Sequence, residues 1–267
     1  MIVFLDISEK FTTLLKKTFI AANNALLQRN IPPIKYHVFS GSLDELINSW
    51  KSIQPPNSKI DNFVICTPGN SLGFMNGGFD GSLVKSINGS STKFQDYLLD
   101  KSNSYTPPGT VNKINLFEVL GNDYKNSKSW ELMKIETILH CPTMIVPEEI
   151  LDENMVFNCM WNIFNSTERN SNLIIPGFGT GYGSISLERA AMDMVAATIL
   201  HKMEISQPLK RSLLILIYLG KQYQKLLNKE DIGTFEKVLN KSSYEEYRKF
   251  YIKSTNSWNQ LFDCVKW

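Results

Sequence analysis

Two segments of this chain share one pattern, in which a short apolar run leads into a glycine-rich loop and then into a helix. The first is FVICTPGNSLGFMNGGFDGSLVKSING, residues 63–89, and the second is NLIIPGFGTGYGSISLERAAMDMV, residues 172–195. A loop between a strand and a helix gathers backbone N–H groups at the helix N-terminus, where the helix dipole favours an anion. The pattern therefore predicts two anion-binding loops in a protein built from strands and helices.

The rest of the chain alternates short β-branched runs with longer segments of helical period. This alternation predicts a sheet flanked by helices on both faces, which is a three-layer α/β/α fold, with a C-terminal helical elaboration. The predicted strands cover residues 2–5, 36–39, 63–66, 115–119, 135–140, 172–175 and 212–218. The predicted helices include residues 8–29, 43–50, 81–87, 154–164 and 187–201.

Composition changes near residue 220, where Lys, Tyr, Glu and Asn become frequent. We predict one main domain over residues 1–220 and one or two peripheral helices over residues 221–267, packed on that domain. The polar stretch GNDYKNSKS, residues 121–129, indicates an exposed hairpin loop or an insertion.

The charge balance gives little support for a nucleic-acid partner. The formal net charge of the 267 residues is only +2, and the Lys- and Tyr-rich segment after residue 220 also contains Glu and Asp. Nucleic-acid binding draws most of its affinity from neutralised phosphates. We therefore interpret this segment as solvated amphipathic helices rather than as an RNA-binding face.

The four cysteines are far apart in sequence and form no pattern typical of a metal or redox site. We expect free thiols and neither a metal nor another cofactor. The apolar start, residues 1–5, has no basic region before it and is interpreted as a strand rather than a signal peptide. The longest apolar run, residues 213–219, is too short to cross a bilayer. We expect a soluble protein of the cytosol or nucleus without a membrane partner, and the oligomeric state stays open.

The first glycine loop has two interpretations on its residues alone. Gly77 and Gly78 lack a Cβ, so the backbone there can approach a ligand closely and adopt a positive φ. Asp80 is also a preferred helix N-cap residue, which is consistent with an ordinary turn. The spacing does not decide between a ligand-binding loop and a simple cap.

Taken as a whole, this loop resembles that of the macrodomain family, and the resemblance implies a macrodomain-like α/β/α fold with a mixed central sheet. The matching residues are Asn70-Ser71, Gly77-Gly78, Phe79-Asp80 and the closing Asn88-Gly89. The separation of Asn70 from Asp80 equals the one in macrodomains that hydrolyse ADP-ribosyl bonds. Pro68-Gly69 stands where the family has small alanines.

The second loop resembles the macrodomain segment that holds the diphosphate and the distal ribose. A lone GxGxG pattern is weak evidence for a dinucleotide fold, which places it at the first strand with an acidic residue after the second. Here it comes late, at residues 177–183.

His140-Cys141-Pro142-Thr143 resembles an Ala-Pro-Thr segment of a fungal and bacterial macrodomain branch, to which ADP-ribose 1″-phosphate phosphatases are assigned. His140 itself is interpreted as a packed structural residue.

The resemblance implies a ligand, namely ADP-ribose or ADP-ribose 1″-phosphate, and a set of site residues. Asn70 would orient the distal ribose, and Asp80 would position or deprotonate a water near the anomeric carbon. The family's adenine-binding Asp is replaced by Ser42, for which Asp6 is an alternative. The implied ligand-binding residues are Ser42, Pro68, Gly69, Ser71, Gly77, Gly78, Phe79, Gly179, Thr180, Gly181, Tyr182 and Gly183. The resemblance thus implies a hydrolase that removes a 1″ substituent, either an ADP-ribose 1″-phosphate phosphatase or an ADP-ribosyl hydrolase. The alternatives are a non-catalytic ADP-ribose reader and a degenerate interaction scaffold.

Overall fold

The computed structural model describes residues 1–53, 62–249 and 257–267. The chain divides into two compact units that are interleaved in sequence. The first unit holds Met1–Leu14 and Lys35–Met194, and the second holds Leu15–Ile34 and Val195–Trp267. The domain boundary near residue 220 stays a prediction. In the described residues, no helix combines the length and the apolar character that a membrane span requires.

A six-stranded mixed sheet forms the centre of the first unit, in the order β2-β1-β6-β3-β5-β4. Its strands are β1 (Ile2–Asp6), β2 (His37–Ser40), β3 (Phe63–Thr67), β4 (Asn112–Asn115), β5 (Thr137–His140) and β6 (Asn172–Pro176). All neighbouring pairs are parallel except β4 with β5. The carboxyl ends of β1, β3, β5 and β6 therefore lie at one edge of the sheet, where ligands bind in open α/β sheets.

Both faces of this sheet are buried, as a three-layer arrangement requires. Val3, Phe63 and Ile65 belong to one apolar cluster together with residues of the helix α2 (Leu43–Ile53). Strand side chains that alternate with these, such as Phe4 and Ile175, are buried as well. Because successive strand residues point to opposite faces, helices cover the sheet on two sides. The predicted α/β/α fold is confirmed.

The helices of the first unit follow the strands in chain order. Besides α2, they are α3 (Gly78–Ser86), α4 (Ser91–Lys101), α5 (Leu116–Leu120), α6 (Lys128–Met133) and α7 (Met155–Asn165). Two longer helices, α1 (Glu9–Leu27) and α8 (Leu187–Lys202), have residues in both units. A capping box starts α2, because Glu45 accepts from the backbone N–H of Ser42 and the Ser42 hydroxyl accepts from that of Glu45.

The second unit is helical in the part that the structure describes. Its remaining helices are α9 (Pro208–Tyr218), α10 (Lys229–Val238), α11 (Lys241–Lys249) and α12 (Trp258–Asp263). The Arg29 guanidinium donates to Asn259 Oδ1 at 2.9 Å and forms an ion pair with Asp263. The predicted helical elaboration is thus present, with more helices than the one or two expected after residue 220.

Two predicted strands were wrong, because both segments are helical. Residues 115–119 fall almost entirely in α5, which starts where Asn115 Oδ1 accepts from the Phe117 N–H at 2.9 Å. Residues 212–218 belong to α9, where Pro208 occupies the first turn. The buried α9 residues recur at helical spacing and are Leu213, Leu214, Ile217 and Tyr218. A short apolar run fits a buried strand and a buried helix equally well.

The polar stretch at residues 121–129 is not an exposed hairpin. It contains a 3₁₀ helix, Asp123–Asn126, and the first residues of α6. Tyr124 is buried and packs its ring edge-on against Trp130, with ring centroids 5.5 Å apart. Turn-forming residues here begin short helices instead of joining two strands, because Ser127 caps α6 through the Trp130 N–H.

Candidate functional site

The loop after β3 is held in shape by the side chain of Asn70. Its Oδ1 accepts from the backbone N–H groups of Leu72 and Phe74 at 3.1 and 3.3 Å, and its Nδ2 donates to the Phe74 carbonyl at 3.0 Å. These bonds fold residues 70–74 into a compact turn. The second Nδ2 hydrogen is the part of the Asn70 amide that remains for a ligand.

The loop ends at the N-terminus of α3, which presents backbone without side-chain cover. Gly77 is the N-cap, and no side chain caps the helix there. A Cβ added to Gly77 or Gly78 would meet no atom within 4 Å, so both residues border open space. The first N–H groups of a helix have no partner within the helix. This end of α3 is therefore suited to an anionic group.

Asp80 lies in the first turn of α3 and is almost fully buried, with 9% exposure. Its carboxylate accepts a hydrogen bond from the Thr67 hydroxyl, at the end of β3. Burial raises the pKa of Asp80 to about 6, and the bond from Thr67 partly offsets this rise. Asp80 can therefore accept a proton near neutral pH, as a general base must.

His140, at the end of β5, lies behind this loop. It is fully buried, and burial lowers its pKa to about 4, so the imidazole is neutral. A Cβ on Gly69 would come closer to His140 Nε2 than 3.0 Å, and it would lie 3.3 Å from Asp80 Oδ2. Within the described residues, neither ring nitrogen has a hydrogen-bond partner. The His140 ring therefore packs against the backbone of Gly69.

The loop after β6 forms a second glycine-lined turn. Gly179 has a φ of +75°, and its carbonyl accepts from the Ile185 N–H at 3.0 Å. Gly181 borders open space, whereas a Cβ on Gly183 would lie 2.8 Å from the Gly179 carbonyl oxygen. Tyr182 is 75% exposed. The loop thus offers bare backbone with one aromatic ring at its rim.

A second carboxylate, that of Asp6, lies at the end of β1 and lines the same cleft. Asp6 accepts from the Ser8 N–H at 2.8 Å. Burial raises the pKa of Asp6, while the backbone N–H groups of Ser8 and Gly177 lower it. Its neighbour in the cleft, Ser42, donates its hydroxyl to Glu45 at 2.9 Å. Both residues line the cleft, where the Asp6 carboxylate can accept from a polar ligand group, whereas the Ser42 hydroxyl hydrogen is donated to Glu45.

These elements border one cleft of about 810 Å³ in the first unit, within the size range of small-molecule sites. Every predicted site residue except Ser71 lines it. Ser71 is buried, and its N–H donates to the Met144 carbonyl at 3.0 Å. Ser71 thus ties the loop to the chain after β5 instead of facing the cleft.

The cleft also contains residues that sequence reasoning missed. They follow the ends of β1 and β5 or lie within the first loop, and include Ile7, Ser8, Phe74, Asn76, Thr143, Met144 and Pro147. Residues that follow neighbouring parallel strands converge at the carboxyl edge of the sheet. These residues could therefore have been predicted to line the cleft if the strand order had been known from the sequence.

The charge of the cleft is unusual for a phosphate-binding site. Among its lining residues in the described ranges, Asp6 and Asp80 are the only charged side chains, and no Lys, Arg or His is present. The same part of the chain contains no group of three or more His, Cys, Asp or Glu residues arranged to hold a metal. Within the described residues, the donors that line the cleft for an anion are therefore backbone N–H groups and uncharged polar side chains.

A helix-flanked mixed sheet with two bare-backbone loops at one cleft defines an α/β protein of the macrodomain type. The sequence model of the Macro-like domain family matches residues 6–247, and the chain belongs to this family. Similar solved structures include an Oceanobacillus iheyensis macrodomain with ADP, at 17% identity and a TM-score of 0.40 over 53% of this chain and 70% of that one. A mutant of that macrodomain with ADPR has 14% identity and a TM-score of 0.39 over 67% and 85%.

Proposed function

We propose that the chain binds ADP-ribose or a derivative of it in this cleft and hydrolyses a substituent at the 1″ position. The observation that carries the proposal is the pairing of two bare-backbone loops with the buried carboxylate of Asp80 in one cleft. Membership of the Macro-like domain family supports the same ligand. The two named substrates are ADP-ribose 1″-phosphate and an ADP-ribosyl ester.

The diphosphate would lie between the two loops. Backbone N–H groups at the start of α3, from Gly77 to Phe79, would hold one phosphate, and the turn from Gly179 to Gly183 would hold the other. Both glycine turns border open space at Gly77 and Gly181. Helix N-termini and backbone turns bind phosphates without cationic side chains. The adenine would lie toward Asp6 and Ser42, and Tyr182 would cover a ribose.

The reaction would occur beside Asp80. Its carboxylate takes a proton from a water molecule, and the water oxygen forms a bond to the anomeric carbon as the bond from that carbon to the substituent oxygen breaks. The substituent leaves with the electron pair, and the Asp80 proton passes to solvent. The second amide hydrogen of Asn70 orients the distal ribose, because the rest of that amide is bonded within its own loop.

A reader that binds ADP-ribose without hydrolysis is the second candidate. The observation in its favour is that both groups proposed for catalysis have other partners: Asn70 braces the loop, and Asp80 is bonded to Thr67. A degenerate scaffold without a ligand is the third.

We also propose that the protein works in the cytosol or nucleus without a nucleic-acid or membrane partner. All four cysteines are buried free thiols.

The Asp80→Ala variant separates these candidates. A hydrolase would lose turnover of 1″-substituted ADP-ribose by about 100-fold or more, the range typical of general-base catalysis, with little change in affinity for ADP-ribose. Turnover and calorimetric affinity should be measured on the same preparations. Unchanged turnover in the variant would remove Asp80 from the mechanism. Binding without any turnover in the wild-type protein would favour the reader.

A further inference from the structure

The chain contains two Asn-Gly sequences, and they lie at opposite ends of the helix α3. Asn76-Gly77 precedes the helix, and Asn88-Gly89 follows it. Asparagine is a chemically labile residue. Its side-chain amide is most labile before glycine, because a residue without a Cβ leaves its backbone nitrogen free to approach that amide. The two sequences carry the same reactive groups, so their surroundings decide which of them reacts.

Asn76-Gly77 is open on all the counts that this chemistry requires. Both residues are exposed, and both line the cleft. Within the described residues, neither the side-chain amide of Asn76 nor the Gly77 N–H has a hydrogen-bond partner. A Cβ added to Gly77 would meet no atom within 4 Å. No contact in the described ranges therefore holds the Gly77 nitrogen away from the Asn76 side chain.

Asn88-Gly89 is held in the turn that ends α3. The Gly89 N–H donates to the Val84 carbonyl at 2.8 Å, and the Asn88 N–H donates to the Lys85 carbonyl at 3.1 Å. A Cβ on Gly89 would lie 2.8 Å from the Phe94 ring, so this glycine is also tightly packed. The Gly89 nitrogen can attack the Asn88 side chain only after its own hydrogen bond has opened.

We propose that Asn76-Gly77 is a site of spontaneous deamidation, at which Asn76 becomes aspartate or isoaspartate. The Gly77 nitrogen gives its proton to hydroxide and forms a bond to Asn76 Cγ. The side-chain nitrogen leaves with the electron pair of its bond and takes a proton from water, which yields ammonia and restores the hydroxide. The reacting groups are neighbours in one chain, which favours this ring closure. Water then adds to either carbonyl carbon of the five-membered imide, and the bond from that carbon to the Gly77 nitrogen breaks. One water is consumed and one ammonia is released.

The product places a carboxylate beside the N-terminus of α3. A side-chain carboxyl has an ordinary pKa of about 4, so the new group is ionised at neutral pH. The helix dipole and the N–H groups of the first turn favour a negative charge here. The modification therefore preserves the helix, but its charge competes with a phosphate for the same N–H groups. This consequence rests on the proposed function, whereas the reaction at Asn76 does not.

Peptide mass spectrometry of the full-length wild-type protein measures both sites in the same molecules. In mildly alkaline buffer, Asn76 should deamidate at least about fivefold faster than Asn88, the effect of one backbone hydrogen bond that must open first. The preceding residues differ, since they are Met75 and Ile87. The same measurement in guanidinium chloride corrects for them, and the ratio of the two rates should be smaller there. A rate at Asn76 equal to or below that at Asn88 in the folded protein, or a ratio that unfolding leaves unchanged, would overturn the inference.

Gly77→Ala tests the attacking atom. Its added Cβ has room and its backbone has a φ of −140°, so the variant should fold as wild type does. The methyl group crowds the nitrogen, and deamidation of Asn76 should slow by at least about fivefold. Asn88 is the internal control, and its rate should stay as in wild type. An unchanged rate at Asn76 would contradict the attack by the Gly77 nitrogen.

The effect of the product on the cleft is measured with Asn76→Asp, and Asn76→Gln is the matched uncharged variant. Asn76→Asp should bind ADP-ribose at least about tenfold more weakly than Asn76→Gln, because its carboxylate repels an anion nearby. Its melting temperature should be equal to or higher than that of Asn76→Gln. Equal affinities of the two variants would overturn the effect on the cleft. Wild-type protein without affinity for ADP-ribose would contradict the proposed function, and the comparison of Asn76 with Asn88 would still decide the modification site.

Discussion

The imidazole of His140 lies directly behind Gly69, so that Nε2 occupies the space into which a side chain on Gly69 would project. The same point lies 3.3 Å from Asp80 Oδ2. Gly69 does not have a positive φ, so its backbone conformation does not require a glycine. Packing against the buried His140 ring is what requires a glycine at this position. The loop, the buried imidazole and the carboxylate thus constrain one another.

Gly69→Ala should destabilise the protein by about 1 to 3 kcal/mol, because the added methyl group overpacks a rigid core contact. The double variant Gly69→Ala/His140→Ala should lose less stability than the sum of the two single variants, since truncation of the ring makes room for the methyl group. Urea unfolding of the four proteins measures this coupling. Strict additivity would contradict the contact.

Asp80 should make the stability of the protein depend on pH. Its folded pKa, about 6, lies above the ordinary value of 3.8. Folding therefore favours the protonated acid, and this contribution is complete below pH 3.8 and is lost as the pH rises through 6. Asp80→Asn should gain up to about 3 kcal/mol relative to wild type between pH 4 and pH 7. Urea unfolding at both pH values checks this, and a constant difference would contradict it.

His140 should act in the opposite direction. Its folded pKa, about 4, lies below the ordinary value of 6.5. Folding favours the neutral ring, so this contribution is present above pH 6.5 and is lost as the pH falls through 4. His140→Gln should therefore gain stability relative to wild type as the pH is lowered from 7 to 4, by about 3 kcal/mol. The opposite sign would show that the buried ring is charged.

Thr67 should set the pH at which Asp80 becomes an effective base. Its hydroxyl donates to the carboxylate and so lowers the pKa of Asp80. Thr67→Val keeps the shape of the side chain and removes this donor, so the acidic limb of kcat/KM against pH should move upward by about 1 unit. Thr12→Val, at another buried threonine, is the control. An unmoved limb in Thr67→Val would exclude Asp80 as the titrating base.

Sequence reasoning grouped residues that the structure brings to one cleft, because they lie in two contiguous segments. A glycine loop between a strand and a helix is a contiguous pattern, and residues 68–70, 77–80 and 179–183 all line the cleft. The use of individual side chains was harder to predict. Asn70 and Ser71 are both bonded to backbone in ways that depend on the path of the loop and on the chain after β5.

Contributions from distant segments could not be read from the sequence. His140, Thr143 and Met144 approach the first loop because β5 pairs with β3, with Thr67 opposite His140. That pairing is a property of strand order. The same limit explains the two strands assigned to helical segments, since burial of residues 115–119 and 212–218 depends on neighbours far along the chain.

Calorimetric titration with ADP-ribose tests the central claim most directly, using two variants that place leucine at a glycine bordered by open space. Gly77 lies at the start of α3 with a φ of −140°, so Gly77→Leu fills the space proposed for a phosphate without backbone strain. Gly233→Leu, in α10, is the control outside the cleft. The account predicts saturable binding to wild type and Gly233→Leu, with affinity reduced at least about tenfold in Gly77→Leu. Equal affinity in all three proteins, or none in wild type, would contradict it.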